Sequence, residues 1–90
     1  MSKSYYQVER IVKGFANHRR IEILELLSKS PEMSLADISK VLNVNFRTAS
    51  DHIRKMATAG FVIKRSEGLV VHHKITSKGV SVLKFLKTLI

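Results

Sequence analysis

Apolar residues recur along this chain with two different periods. From Tyr5 through Val8, Ile11, Val12 and Phe15 they fall at helical spacing, which predicts a first helix over about residues 4–15, weakened at its end by Gly14. Asn17 suits the N-cap of a second helix reaching about Ser28. Its apolar stripe is Ile21, Leu24 and Leu27, thickened by Ile23 and Leu26. Ser30-Pro31-Glu32 is a break, because proline disfavours helix in the residue before it. Ser34, three residues ahead of Asp37, resembles a capping box and opens a third helix carrying Leu35, Ile38, Val41 and Leu42. Asn43-Val44-Asn45 is a short turn. Asn45 then caps a fourth helix with Ala49, Ile53 and Met56 on its inner face, ending at about Thr58 before Gly60.

Beyond Gly60 the period changes. Phe61 to Arg65 and Leu69 to Ile75 are β-branched extended runs flanking Ser66-Glu67-Gly68, a hairpin signal with Glu67-Gly68 at the tip. Thr76 and Ser77 offer caps for a last helix over about residues 78–90. The expected fold is mainly α with a β-hairpin, in the order α-α-α-α-β-β-α. Two short helices joined by a three-residue turn and followed by a hairpin make a winged helix-turn-helix. One domain spans residues 1–90, with the helix-turn-helix at about 34–58, the wing at about 61–75 and a dimerisation helix at about 78–90.

Charge sharpens this picture. The chain of 90 residues carries 16 Lys and Arg against 7 acids, for a formal charge of +9. Residues 1–44 hold seven basic and five acidic side chains, and residues 45–90 hold nine against two. Such an asymmetry points to a polyanion-binding face in the second half. In a helix-turn-helix the second helix enters the major groove of double-stranded DNA, and its N-terminal residues reach base edges. Facing away from Ala49, Ile53 and Met56 are Phe46, Arg47, Ser50, Asp51 and Arg54. Phe46 either touches a thymine methyl group or packs back beside Val44. Arg47 is the preferred base reader, since a guanidinium makes two hydrogen bonds to one guanine edge, with a phosphate contact as the competing role. Asp51 either accepts from a cytosine amino group or pairs with Arg47 or Arg54. Arg54 and Lys55, with Lys64, Arg65 and Lys74 of the wing, are expected on phosphates, where they supply affinity and register rather than sequence choice.

The other constellations exclude more than they suggest. There is no cysteine, hence no disulfide framework, thiolate site or redox chemistry, and the expectation is a cytoplasmic protein. No apolar run approaches the ~18 residues of a membrane span, and Met1 to Tyr6 lacks the apolar core of a signal peptide. His72 and His73 are adjacent in a strand and point to opposite faces, so they cannot easily chelate one ion. No paired carboxylates, phosphate loop or nucleophile set stands out, so neither an enzyme nor a cofactor is expected, and tight metal binding is not expected. No pocket for a small-molecule effector is legible.

The last helix is apolar over a wide surface. Val82, Phe85, Leu86 and Leu89 form one face, with Val80, Leu83 and Ile90 beside it. A helix of this kind must be covered on more than one side. The first helix covers part, and a second copy of the chain, joined through Val12 and Phe15 as well, is expected to cover the rest; burial within the monomer is the simpler alternative. A domain this small has little core to spare, and dimerisation would bury more.

The stretch Phe15 to Leu27, with Asn17-His18-Arg19-Arg20-Ile21-Glu22-Ile23-Leu24 at its centre, resembles the opening of ArsR-type winged-helix repressors. Leu35 to Leu42 is similar to their third helix, and Asn45 to Val62 to their recognition helix and the start of their wing. Ile75-Thr76-Ser77-Lys78-Gly79 is similar to a step shared with MarR- and PadR-type regulators. The resemblance implies a homodimer on a pseudo-palindromic operator, with Phe46, Arg47, Ser50 and Asp51 facing the groove and His52 in a structural place. It also implies release by a metal or small molecule in many members. Three departures stand against that last point or against the usual wing. Leu35-Ala36-Asp37 replaces the cysteine pair of metal sensors, the last helix lacks His and acidic ligands, and Leu69 replaces a basic residue after the wing glycine. The expected function is sequence-specific DNA binding as a homodimeric transcription regulator, a repressor. A winged helix used for protein contacts in a transcription or replication assembly is the alternative.

Overall fold

Each helix begins on a residue whose side chain accepts a backbone N–H that the helix itself leaves unsatisfied. Ser4 accepts from Gln7 and closes a full capping box at α1 (Tyr5–Lys13). Asn17 serves α2 (His18–Lys29), Ser34 serves α3 (Leu35–Leu42), Asn45 serves α4 (Phe46–Thr58) and Thr76 serves α5 (Ser77–Lys87). These caps come from a computed structural model, which describes residues 3–30 and 32–90. The break expected at Pro31, and Met1 and Ser2 of the leader expectation, lie outside the described residues.

The structure adds one strand to the expected order. β1 (Met33–Ser34) pairs antiparallel with β3 (Val70–Ile75), which in turn pairs with β2 (Val62–Glu67), giving the sheet order β1-β3-β2. Met33 lies opposite His73 and Ser34 opposite His72. A two-residue strand has no periodicity of its own, so only its distant partner defines it. Ser66 and Glu67 belong to β2 rather than to the turn. The tip is Gly68-Leu69, with Gly68 at φ 61°, the left-handed conformation that a two-residue hairpin turn requires at its first position. The last helix stops at Lys87, leaving Ile90 outside it.

The core is Ile23, Leu24 and Leu27 of α2, Ile38 of α3, Ile53 and Met56 of α4, Phe61 with Val62 at the start of β2, and Leu83 of α5. Ile21 and Leu26 are only half-buried, and Val41 is exposed rather than inward. Phe61 is the centre of the joint between wing and α5. Thr76 donates its hydroxyl to the Gly60 carbonyl at 2.7 Å, and its amide to the Phe61 carbonyl at 3.1 Å. Gly79 sits so close that a Cβ there would lie 2.5 Å from the Phe61 carbonyl oxygen. α1 carries no buried residue. It is fastened at its C-terminal end, where Ile11 and Phe15 pack on the core and Phe15 meets Phe61 edge to face, 5.5 Å between centroids.

Candidate nucleic-acid interface

The turn between α3 and α4 is fixed by short-range chemistry. Asn43 ends α3 at φ 53°, ψ 48°, a left-handed conformation that asparagine tolerates better than other side chains. The Ser39 hydroxyl donates to the Val44 carbonyl at 2.7 Å, and Asn45 accepts from Arg47 N–H at 2.7 Å to start α4. Ala49, Ile53 and Met56 are buried, which turns the opposite side of α4 to solvent.

On that outer side Phe46, Arg47 and Ser50 are exposed and line one shallow concavity together with Asp51 and Arg54. Phe46 is 57% exposed, so it is not folded away under the turn beside Val44. Arg47 has no carboxylate partner among the described residues, whereas the neighbouring cations do. Asp51 accepts from Arg54 at 2.6 Å and pairs with Lys55 at 3.1 Å, so of the two pairings expected for it only Arg54 forms, and Lys55 joins. Lys55 and then Arg54 hold the Asp51 carboxyl below the usual carboxylate range. The recognition turn thus presents one uncommitted guanidinium, backed by two cations held on an acid.

Behind this face, α4 is tied to the rest of the domain through His52. Arg20 donates Nε–H to His52 Nδ1 at 3.0 Å and Nη1–H to the Lys13 carbonyl at 2.8 Å, joining α1, α2 and α4. Burial, and after it the Arg20 charge, lowers the His52 pKa, so the ring is neutral with its proton on Nε2. This is the structural place that the sequence suggested for His52; nothing local in the sequence marks Arg20 as its partner.

The wing is less uniform than its composition. The register places Lys64 opposite His73, on the face whose base is the buried Val62. Arg65, opposite His72, and Lys74, opposite Ile63, share the other face. Lys64 and Lys74 are exposed and unpaired among the described residues. Arg65 is held by Glu32 at 2.6 Å, with Glu67 3.6 Å away. A phosphate contact by Arg65 therefore competes with Glu32. His72 and His73 point to opposite faces, as adjacent strand residues do. His73 donates Nδ1–H to the Met33 carbonyl at 2.9 Å and is buried, while no group of three or more His, Cys, Asp or Glu among the described residues could hold a metal ion.

The six apolar residues expected at a dimer face divide into two sets. Phe15, Val82 and Leu86 are half-buried against their own core. Val12, Phe85 and Leu89 are exposed, Phe85 by 58% and Leu89 by 68%. Tyr5, Tyr6 and Val8 extend the exposed apolar set along α1. Among the described residues no helix is long and apolar enough to cross a membrane.

An α3-turn-α4 unit with an exposed basic helix and an adjoining hairpin defines a winged helix-turn-helix domain of the DNA-binding kind. The chain belongs to the ArsR family: the model of the bacterial regulatory proteins of that family matches residues 17–64, just over half of it. It is 34% identical over 75 residues to an HTH-type transcriptional regulator of Mycobacterium tuberculosis, covering 83% of this chain and 33% of that protein. Over 76 residues it is 26% identical to a cadmium resistance transcriptional regulatory protein, a CadC homolog of Staphylococcus aureus, covering 84% of this chain and 63% of that one. The chain thus spans a third and just under two thirds of these relatives, both of them transcriptional regulators by name. Among solved structures, the homodimeric winged helix-turn-helix DNA-binding domain of a possible ArsR-family regulator from Mycobacterium bovis superposes with a TM-score of 0.83. It is 26% identical, over 99% of this chain and 88% of that one. HlyU from Vibrio cholerae superposes with a TM-score of 0.81 at 26% identity, over 99% of this chain and 97% of that one.

Proposed function

We propose that the chain binds a pseudo-palindromic operator as a homodimer and represses transcription by occupying it. The observation that carries the sequence-specific part is Arg47. It stands on the first turn of α4, exposed and without a carboxylate partner among the described residues, between Phe46 and Ser50. A free guanidinium at that place can make a bidentate contact to a guanine edge. Ser50 adds a hydroxyl able to donate or accept, and Phe46 an apolar contact for a thymine methyl. Arg54, Lys55, Lys64 and Lys74 lie on the backbone, joined by Arg65 where a phosphate displaces Glu32.

The homodimer is supported by the exposed apolar set on α1 and α5 and by the homodimeric state of the Mycobacterium bovis domain. Two recognition helices about one helical turn, ~34 Å, apart read a palindrome, where one reads only a few base pairs. Repression requires no surface beyond the DNA-binding one, because occupancy alone excludes polymerase. Cadmium sensing is not carried over from the Staphylococcus aureus relative, since soft ions of that type call for thiolates and this chain has no cysteine. Selection of binding sites from random duplexes tests the reading. A palindromic winner with steeply salt-dependent affinity supports it; equal affinity for all duplexes removes the sequence-specific part.

A further inference from the structure

A groove runs between α1 and the C-terminal half of α4, sharing Arg54 with the concavity at the recognition turn. Its volume is about 420 Å³, in the range of small-molecule clefts. Lys3, Arg10 and Lys13 line it from the N-terminal segment, Arg20 from α2, and Arg54 and Lys55 from α4, with no carboxylate among its lining residues. Ile11, Gly14 and Ala59 supply apolar lining. Gly14 approaches Ala59 so closely that a Cβ on it would lie 2.5 Å from the Ala59 Cβ.

The charge is only partly compensated. Asp51 holds Arg54 and Lys55, and Glu9 holds Lys13 at 3.0 Å. Arg10 and Lys3 have no carboxylate partner among the described residues; Arg10 lies 6.0 Å from the centre of the Tyr6 ring. Arg20 gives its N–H groups to two neutral acceptors, His52 Nδ1 and the Lys13 carbonyl. Like charges facing one another across a concave surface focus a positive potential there, which an anion relieves.

We propose that this groove binds a small organic anion, a phosphate ester with an apolar body, whose charge meets Arg10, Lys3 and Lys55 while its body lies on Ile11 and Ala59. The apolar lining favours such an occupant over the backbone of a duplex, whose only apolar part is the deoxyribose between charged phosphates. α1 carries no buried residue and is fastened only at its C-terminal end, by Ile11, by the following Phe15 and by the Arg20 bond to the Lys13 carbonyl. A ligand bridging Arg10 and Lys55 ties it to the recognition helix. Because α1 also bears part of the proposed dimer face, binding shifts the position of α4 relative to the partner copy and changes operator affinity. This last step rests on the proposed DNA binding; the anion site itself does not.

Calorimetry on the full chain without DNA tests the site, with phenyl phosphate and inorganic phosphate as probes. Saturable binding of phenyl phosphate is expected at a Kd of about 1 mM or tighter. It should exceed inorganic phosphate about tenfold, because the ring buries apolar surface. Arg10→Gln with Lys3→Gln should weaken it by about tenfold at unchanged melting temperature, both side chains being exposed; each single replacement is measured as well. Equal, unsaturated binding of both probes overturns the proposal, as does a double variant that binds like the wild type. A duplex arm separates the remaining source of phosphate. Without ligand, the double variant should keep its DNA affinity and salt slope, and a slope reduced by about two would assign the groove to backbone phosphates instead. Failure of the chain to bind any duplex removes the coupling step and leaves the calorimetric result standing.

Discussion

Arg20 and His52 face each other across α2 and α4, 3.0 Å from Nε to Nδ1, and the same guanidinium reaches back to the Lys13 carbonyl. One side chain therefore orients the recognition helix and anchors the end of α1. The bond requires His52 Nδ1 to be bare, and burial keeps it so.

Arg47→Ala is expected to weaken specific binding by roughly 1–3 kcal/mol and to relax one operator position. Competition between the selected operator and single-base variants measures this. Uniform weakening of every duplex would make Arg47 a phosphate contact.

Asp51→Asn acts in the opposite direction. It releases Arg54 and Lys55, which are now held at 2.6 and 3.1 Å. Non-specific affinity should rise and the salt slope should steepen by about one to two phosphates, while the ratio of operator to random DNA falls. Titrations at several salt concentrations report both quantities.

Phe85→Lys with Leu89→Lys should give a folded monomer whose operator affinity falls far more than two added charges explain. Both residues are exposed in the monomer, so the helical signal should survive. Sedimentation at micromolar concentration checks the wild type and the variant together, and a wild type that is wholly monomeric there would remove the dimer.

Burial lowers the His73 pKa against the opposing pull of the Met33 carbonyl, and burial also lowers that of His52. The unfolded chain then binds more protons than the folded one below the ordinary value of about 6.5, so stability is full above that pH and declines as the solution becomes more acidic. Urea unfolding between pH 7.5 and 5 is expected to show this slope, and His73→Asn should flatten it.

Gly79→Ala should destabilise the domain by about 1–3 kcal/mol, through overpacking rather than backbone strain. The added Cβ would meet the Phe61 carbonyl oxygen at 2.5 Å and Ile75 Cγ1 at 2.7 Å, neither of which is the free end of a flexible chain. Thermal unfolding of the variant gives the number directly.

Local chemistry explains what was legible in the amino-acid order. Asn17, Asn45 and Thr76 were recognisable as caps because the residues they serve are two or three positions away. The buried stripe of α4 followed from helical spacing alone. What escaped was set by distance along the chain. β1 exists only through residues about forty positions later, Arg65 finds Glu32 across thirty-three positions, and the cationic groove is gathered from three separate helices. Hydrophobic pattern could not tell which apolar residues of α5 the monomer would use, since Val82 and Phe85 read alike until α2 and Phe61 are in place. The free state of Arg47 likewise depended on which cations Asp51 took.

Ser34 is at once the last residue of β1 and the cap of α3, so the sheet flows into the helix-turn-helix with no intervening loop. Wing and recognition helix are consequently mounted on one rigid frame, like the two jaws of a fixed-gap gauge. On a duplex, the distance between the base-reading point and the backbone-touching point is then set by the protein. Any mismatch falls on the DNA, whose groove width and bendability vary with sequence. Base pairs that neither Arg47 nor the wing touches would thereby contribute to operator choice through how readily they conform to that gap.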